Sequence, residues 1–263
     1  MTTVGRTVAA VGLAVAGTAA TWAIAHRLPA VRERLSRTNF RDEPVTLIEG
    51  PALVVGLTTA AYVDPAVALA AAGAGVFGLI DDVAGSADRR GLKGHLSGLA
   101  HGEVTTGALK IVGIGATGVV AAALLDRGRW RLVGTPTAAV LIAASANLMN
   151  LFDLRPGRAL KVGALADLPL LLRRPEVAVV PLAAGAVLLP ADLAGRSMMG
   201  DTGANALGAA IAAGWARSAS TPARIAATTA VVALMVASEK VSFSRVIDGQ
   251  PVLRAIDRWG RPQ

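Results

Sequence analysis

The sequence predicts an all-α fold: a polytopic membrane helical bundle of about nine transmembrane helices. Three observations predict it. Of 263 residues, 53% are hydrophobic and only 17% are charged, against about 25% charged in an ordinary soluble domain. Polar residues are therefore too few to coat a water-soluble globule. The apolar residues also come in charge-free blocks of membrane-crossing length. Gly, Ala, Ser and Thr fill these blocks, which suits close helix–helix approach in lipid. Disorder is excluded by the same hydrophobicity. With no Cys, disulfides, thiolate nucleophiles and zinc–thiolate sites are excluded too. One Tyr, four Phe and four Trp leave little surface for stacking bases, so the net charge of +8 is not read as nucleic-acid binding.

A bilayer core about 30 Å thick asks for roughly 17–25 residues of helix. The first block, 7–25, has nineteen residues between Arg6 and His26. Its n-region carries only Arg6 and its apolar run exceeds that of a signal peptide, so it reads as a first span. Blocks 50–63, 65–80 and 111–125 are shorter and span if flanking residues are drawn in. Block 132–152, with twenty-one residues, qualifies alone. Segment 160–173 is interrupted by Asp167 and is the weakest of the set. Blocks 177–191, 202–216 and 225–238 complete nine. Residues 1–240 thus form one transmembrane domain and 241–263 a short amphipathic tail. Within the tail, 246–260 is a candidate interfacial helix.

If every block spans, the linkers 26–46, 81–104, 153–161, 192–201 and the tail from 239 share one side. They carry about twice as many Lys and Arg as the opposite side. The positive-inside rule places them in the cytoplasm, with the N-terminus outside and the C-terminus inside. Most acids fall on that same side; Asp64, Asp126 and Glu176 are the outer exceptions.

Four segments on the inferred cytoplasmic side carry chemistry. Asp81-Asp82 ends the third span; neighbours on a helix point about 100° apart, so the two suit different tasks. Taken alone, the pair also fits solvated helix-end charges. Asn147, Asn150 and Asp153 recur at i,i+3 spacing and form a polar ladder that binds sugar, base or phosphate, or holds helices together. Arg155 follows it. Gly200-Asp201-Thr202-Gly203 opens the eighth span, where helix N–H groups attract phosphate or Asp201 serves as a plain cap. A carboxylate beside an anion site makes electrostatic sense with a bridging cation, and Mg²⁺ fits. Lys93 is a candidate phosphate contact; His95 and His101 read as surface histidines.

With these pieces on one face, the chain resembles the polyprenyl-phosphate N-acetylhexosamine-1-phosphate transferases, the superfamily of phospho-N-acetylmuramoyl-pentapeptide transferase. Asp81-Asp82, Asn147-x-x-Asn150-x-x-Asp153 and Met199-Gly200-Asp201-Thr202-Gly203 match in the family's order. The resemblance implies a bacterial plasma-membrane enzyme of cell-envelope glycan synthesis. It would move a sugar-1-phosphate from a UDP-N-acetyl-sugar to polyprenyl phosphate, releasing UMP. It implies Mg²⁺ held by Asp201 and Asp82, Asp81 handling the acceptor phosphate, and Asn147, Asn150 and Asp153 lining the nucleotide-sugar pocket. Membrane lipids are implied partners, and a homodimer is allowed. The chain departs from the family pattern at Gly85, where a Lys is usual, at Leu154, where a Gly is usual, and in its His-free tail. These departures leave a second reading open, a non-catalytic member that binds lipid-linked precursor as an envelope-assembly partner. A transporter ranks last, since no inverted repeat is visible and Asp167 is one of few mid-block charges.

Overall fold

The structure is a computed structural model that describes residues 2–39, 42–84, 105–127 and 131–262. It is nearly all helical. α1 (Thr3–Arg27) leads into the short α2 (Pro29–Arg34), then a two-stranded antiparallel ribbon of β1 (Ser36–Thr38) and β2 (Pro44–Thr46) with Arg37 opposite Val45. The body follows: α3 (Glu49–Thr58), a 3₁₀ turn (Thr59–Tyr62), α4 (Pro65–Ala84), α5 (Thr106–Leu125), α6 (Gly134–Phe152), α7 (Arg158–Leu171), α8 (Pro175–Leu193), α9 (Gly200–Ser218) and α10 (Thr221–Ser238). The tail holds α11 (Phe243–Gly249) and α12 (Pro251–Arg258).

Six of these helices, α1, α4, α5, α6, α8 and α10, are long and apolar enough to cross a membrane. The other three expected spans differ for readable reasons. The 50–63 block breaks, because α3 stops at Thr58 and a 3₁₀ turn leads to Asp64-Pro65. α7 has only 14 residues and carries Asp167 and Pro169. α9 reaches 19 residues, but Asp201, Asn205 and Arg217 interrupt a Gly- and Ala-rich run.

α9 is the hub. Residues Thr202–Gly214 and Ala216 are buried, and α4 and α6 lie against it most extensively, with α3 next. Small residues make this possible. A Cβ on Gly78 of α4 would collide with the Asp201 backbone carbonyl, and one on Gly208 of α9 would collide with the Ser145 carbonyl. Such backbone proximity brings many atoms into dispersion contact, the kind of packing on which helices in lipid depend. α1 packs on α8 and α3, and α10 lies mainly along α6.

The two ends of the bundle differ. At one end Arg217 grips Asp64 with Nε and Nη2 at 2.6 and 2.8 Å, and Arg224 holds Asp126 at 3.1 and 3.2 Å. Thr135 donates to Asp126 at 2.6 Å, and Arg174 pairs with Glu176 at 2.9 Å. The three acids that break the charge pattern are therefore each neutralised by an Arg. At the opposite end the acids meet one another.

Candidate functional site

The opposite end gathers the last turn of α4, the first turn of α5, the C-terminus of α6 and the N-terminus of α9. Gly200 begins α9 with φ +60, a left-handed conformation open to Gly at little cost. A Cβ there would also lie 2.9 Å from Asp82 Oδ2.

A helix start leaves N–H groups without partners, and Met199 before α9 offers no side-chain cap. Carboxylates from other helices take the role. The Gly200 N–H donates to Asp153 Oδ2 at 2.9 Å. The Asp201 N–H donates to Asp82 Oδ1 at 3.0 Å, and the Thr202 N–H and hydroxyl donate to Asp82 Oδ2 at 2.8 and 2.5 Å. Negative charge at the positive end of the helix dipole reinforces these bonds. Two sequence expectations are corrected. Asp201 does not cap its own helix, and these first N–H groups are not free for phosphate, because Asp82 and Asp153 occupy them.

Asp201 is turned elsewhere. The Lys110 ammonium, near the start of α5, donates to Asp81 Oδ2 at 2.8 Å and also to Asp201 Oδ2. These side chains retain 14–20% exposure, so the trio stays in reach of solvent. The adjacent aspartates point to different partners, in keeping with the 100° step: Asp82 bonds the start of α9, while Asp81 and Asp201 flank the Lys110 ammonium. Arg37 of β1 donates to the Asp82 backbone carbonyl, tying the ribbon to this end.

Asp153 follows α6, and its carboxyl is pushed well above the usual range, by burial first and then by the negative charge of Asp192; the Gly200 N–H works against the rise. Asp192 and Glu49 are buried, and the Ser197 hydroxyl donates to Glu49 at 2.6 Å. A cavity of about 150 Å³ opens here, lined among others by Asn39, Asp153, Arg155, Asp192 and Ser197. Asn147 and Asn150 are half-buried on α6, and the Asp153 N–H donates to the Asn150 carbonyl at 3.1 Å. Lys93 lies outside the described residues, as do His95, His101 and Gly85.

Asp81, Asp82, Asp153 and Asp201 are thus brought to one end and joined through short bonds. Sequence reasoning gave no site role to Lys110, Arg37, Asp192 or Glu49, whereas Thr202 lay within the Asp201 motif it singled out. Lys110 had a usable signal, being the sole charge between 105 and 125.

The donor set fits Mg²⁺ in one respect: two carboxylates already converge on a positive centre, and Mg²⁺ takes one or two carboxylates plus phosphates and water. Among the described residues no group of three or more His, Cys, Asp or Glu is placed to hold a metal ion. Phosphate oxygens of a ligand would have to complete the coordination. No family model and no curated protein matches the chain.

Proposed function

We propose that this chain is an integral-membrane, Mg²⁺-dependent phosphoglycosyl transferase that moves a sugar-1-phosphate from a UDP-N-acetyl-sugar to polyprenyl phosphate. The observation that carries the reading is the meeting of Asp81 and Asp201, from α4 and α9, at the Lys110 ammonium. Supporting it, Asp82 and Asp153 fix the start of α9 from two further directions. In this reading all nine blocks lie within the membrane, the shorter ones with help from neighbours. The N-terminus is outside and the site faces the cytoplasm, where nucleotide sugars are made.

In the reaction, an oxygen of polyprenyl phosphate bonds to the sugar-bearing phosphorus of the donor. The bond from that phosphorus to the bridging oxygen breaks, and the bridging oxygen leaves with UMP. Phosphoryl transfer asks chiefly for positioning and charge neutralisation. Asp81 orients the acceptor phosphate, and Lys110 neutralises charge on the transferring group. Asn147, Asn150, Asp153 and Arg155 hold the nucleotide sugar. Mg²⁺, when bound, would be held by Asp201 with Asp81 or Asp82 and would neutralise the diphosphate. Since both Asp82 oxygens accept N–H bonds, Asp81 is the better placed second ligand.

The test is transfer of label from the sugar-linked phosphate of a UDP-N-acetyl-sugar into organic-extractable lipid by purified protein with Mg²⁺ and polyprenyl phosphate. Labelled lipid is expected from at least one sugar of a panel. Binding of donor and acceptor with no labelled lipid from any sugar would favour the precursor-binding reading, which Gly85 and the His-free tail support.

A further inference from the structure

The tail is bolted to the bundle on one face and bare on the other. Arg158, buried at the start of α7, holds Asp257 of α12 through Nε at 2.7 Å and Nη2 at 3.1 Å, and donates to Ser244 at 2.8 Å. Lys161, one turn on, spends its three donors on the Ile256, Asp257 and Trp259 carbonyls at 3.2, 2.6 and 2.8 Å. Arg261 closes the clamp, donating to the Pro156 carbonyl at 2.8 Å and pairing with Asp257 at 2.9 Å. Phe243 of α11 stacks on Phe152 of α6 at 5.0 Å. Cations at the start of a helix oppose its dipole, so Arg158 and Lys161 do not serve α7; Lys161 caps the end of α12 and Arg158 holds its Asp257 side chain.

This docking turns Asp257 inward and leaves Val252, Leu253, Ile256 and Trp259 outward at helical spacing. Val252 and Trp259 are each 72% exposed, so none of the described residues covers them. Ile256 and Trp259 also border a cavity of about 300 Å³ between α7 and α8 whose walls are apolar apart from Lys161 and Asp167. Arg254 and Arg258 are exposed on the polar side of α12, away from this apolar face by the 100° step per residue, and Lys240 and Arg245 are exposed earlier in the tail. Only residues 239–242 separate the apolar α10 from α11. If α10 crosses a bilayer, so short a connection holds the tail at the membrane boundary.

We infer that α12 is an interfacial helix for an anionic bilayer surface. Its Val252, Leu253, Ile256 and Trp259 side chains enter the acyl boundary, and Arg254 and Arg258 engage the lipid phosphates. The inference rests on the membrane reading of the helices and not on the transfer reaction. The Cys-free chain allows a direct test. A polarity-sensitive fluorophore is attached to Val252→Cys, or to Asp248→Cys of α11 as a reference, in full-length protein. The protein is placed in nanodiscs of phosphatidylcholine with or without phosphatidylglycerol, doped with brominated lipid. The label at 252 should be quenched several-fold more than that at 248. Quenching at 252 should rise with phosphatidylglycerol and lose that rise in Arg254→Glu/Arg258→Glu. Equal quenching at the two positions, or indifference to phosphatidylglycerol, would overturn the inference.

Discussion

At the residue scale, Lys110 is the keystone of the proposed site. Replacing it by Met leaves Asp81 and Asp201 facing each other without a counter-charge. The trio keeps some solvent contact, so the stability loss should be about 2 kcal/mol, below the range for fully buried pairs. Labelled-lipid formation should fall at least ~100-fold, as it does when a charge-stabilising donor is removed. Activity within a few fold of wild type would remove Lys110 from the chemistry. Asp153 gives a pH test. Its carboxyl is raised above the usual range, so its contribution to stability is full below the unfolded value and is lost as pH rises through the raised one. Asp153→Asn keeps an acceptor for the Gly200 N–H and removes the buried charge. The variant should therefore gain thermal stability over wild type as pH rises, while nucleotide-sugar binding weakens; a stability gap that shrinks with rising pH contradicts the assignment. Of this chemistry, the carboxylates were legible because acids at block ends stand out against apolar sequence. Asp82 acting as the cap of a helix distant in sequence was not, because that depends on how α4 and α9 cross.

At the scale of elements, the contact between α4 and α9 positions the site. Gly78→Val would drive a side chain into the Asp201 carbonyl and force the helices apart. Loss of transfer with a lowered melting temperature is expected, a cost of about 1–3 kcal/mol for overpacking; an unchanged melting temperature would show that the helices yield easily. The tail offers a second test. Lys161→Met removes the donors to three α12 carbonyls, and limited proteolysis should then cut after Arg254 or Arg258 several-fold faster than in wild type. Equal rates would mean that Arg158 and Arg261 suffice. Charge-free blocks located the long helices well, since few other structures hide such runs. The short β1–β2 ribbon was missed because three-residue strands among charges leave no periodicity. The tail reads in sequence as one helix over 246–260, yet it breaks at Gly249-Gln250-Pro251, because Pro251 starts a helix more readily than it continues one.

At the scale of the whole molecule, Arg pairs with Asp64, Asp126 and Glu176 close one end, while the other brings Asp81 and Asp201 to Lys110 and clamps the tail through Arg158. The charge bias predicts that the second end faces the cytoplasm. A reporter fused after Gln263 should signal cytoplasm, and one fused before α1 should signal the outside. The reverse pattern would separate the site from its nucleotide donor. Block order alone grouped Asp64, Asp126 and Glu176 at one end and Asp81, Asp153 and Asp201 at the other, as the structure has them. Against nine expected spans, six helices among the described residues are long and apolar enough to cross a membrane, because α3, α7 and α9 exchange length or apolarity for internal packing.

The central claim is tested most directly by UMP release from a panel of UDP-N-acetyl-sugars, with undecaprenyl phosphate and Mg²⁺, comparing wild type with Asp201→Asn of equal melting temperature. Release from wild type with at least one sugar, its loss on chelation and its loss in Asp201→Asn are expected. Release that persists unchanged in Asp201→Asn, or that ignores chelation, would contradict it.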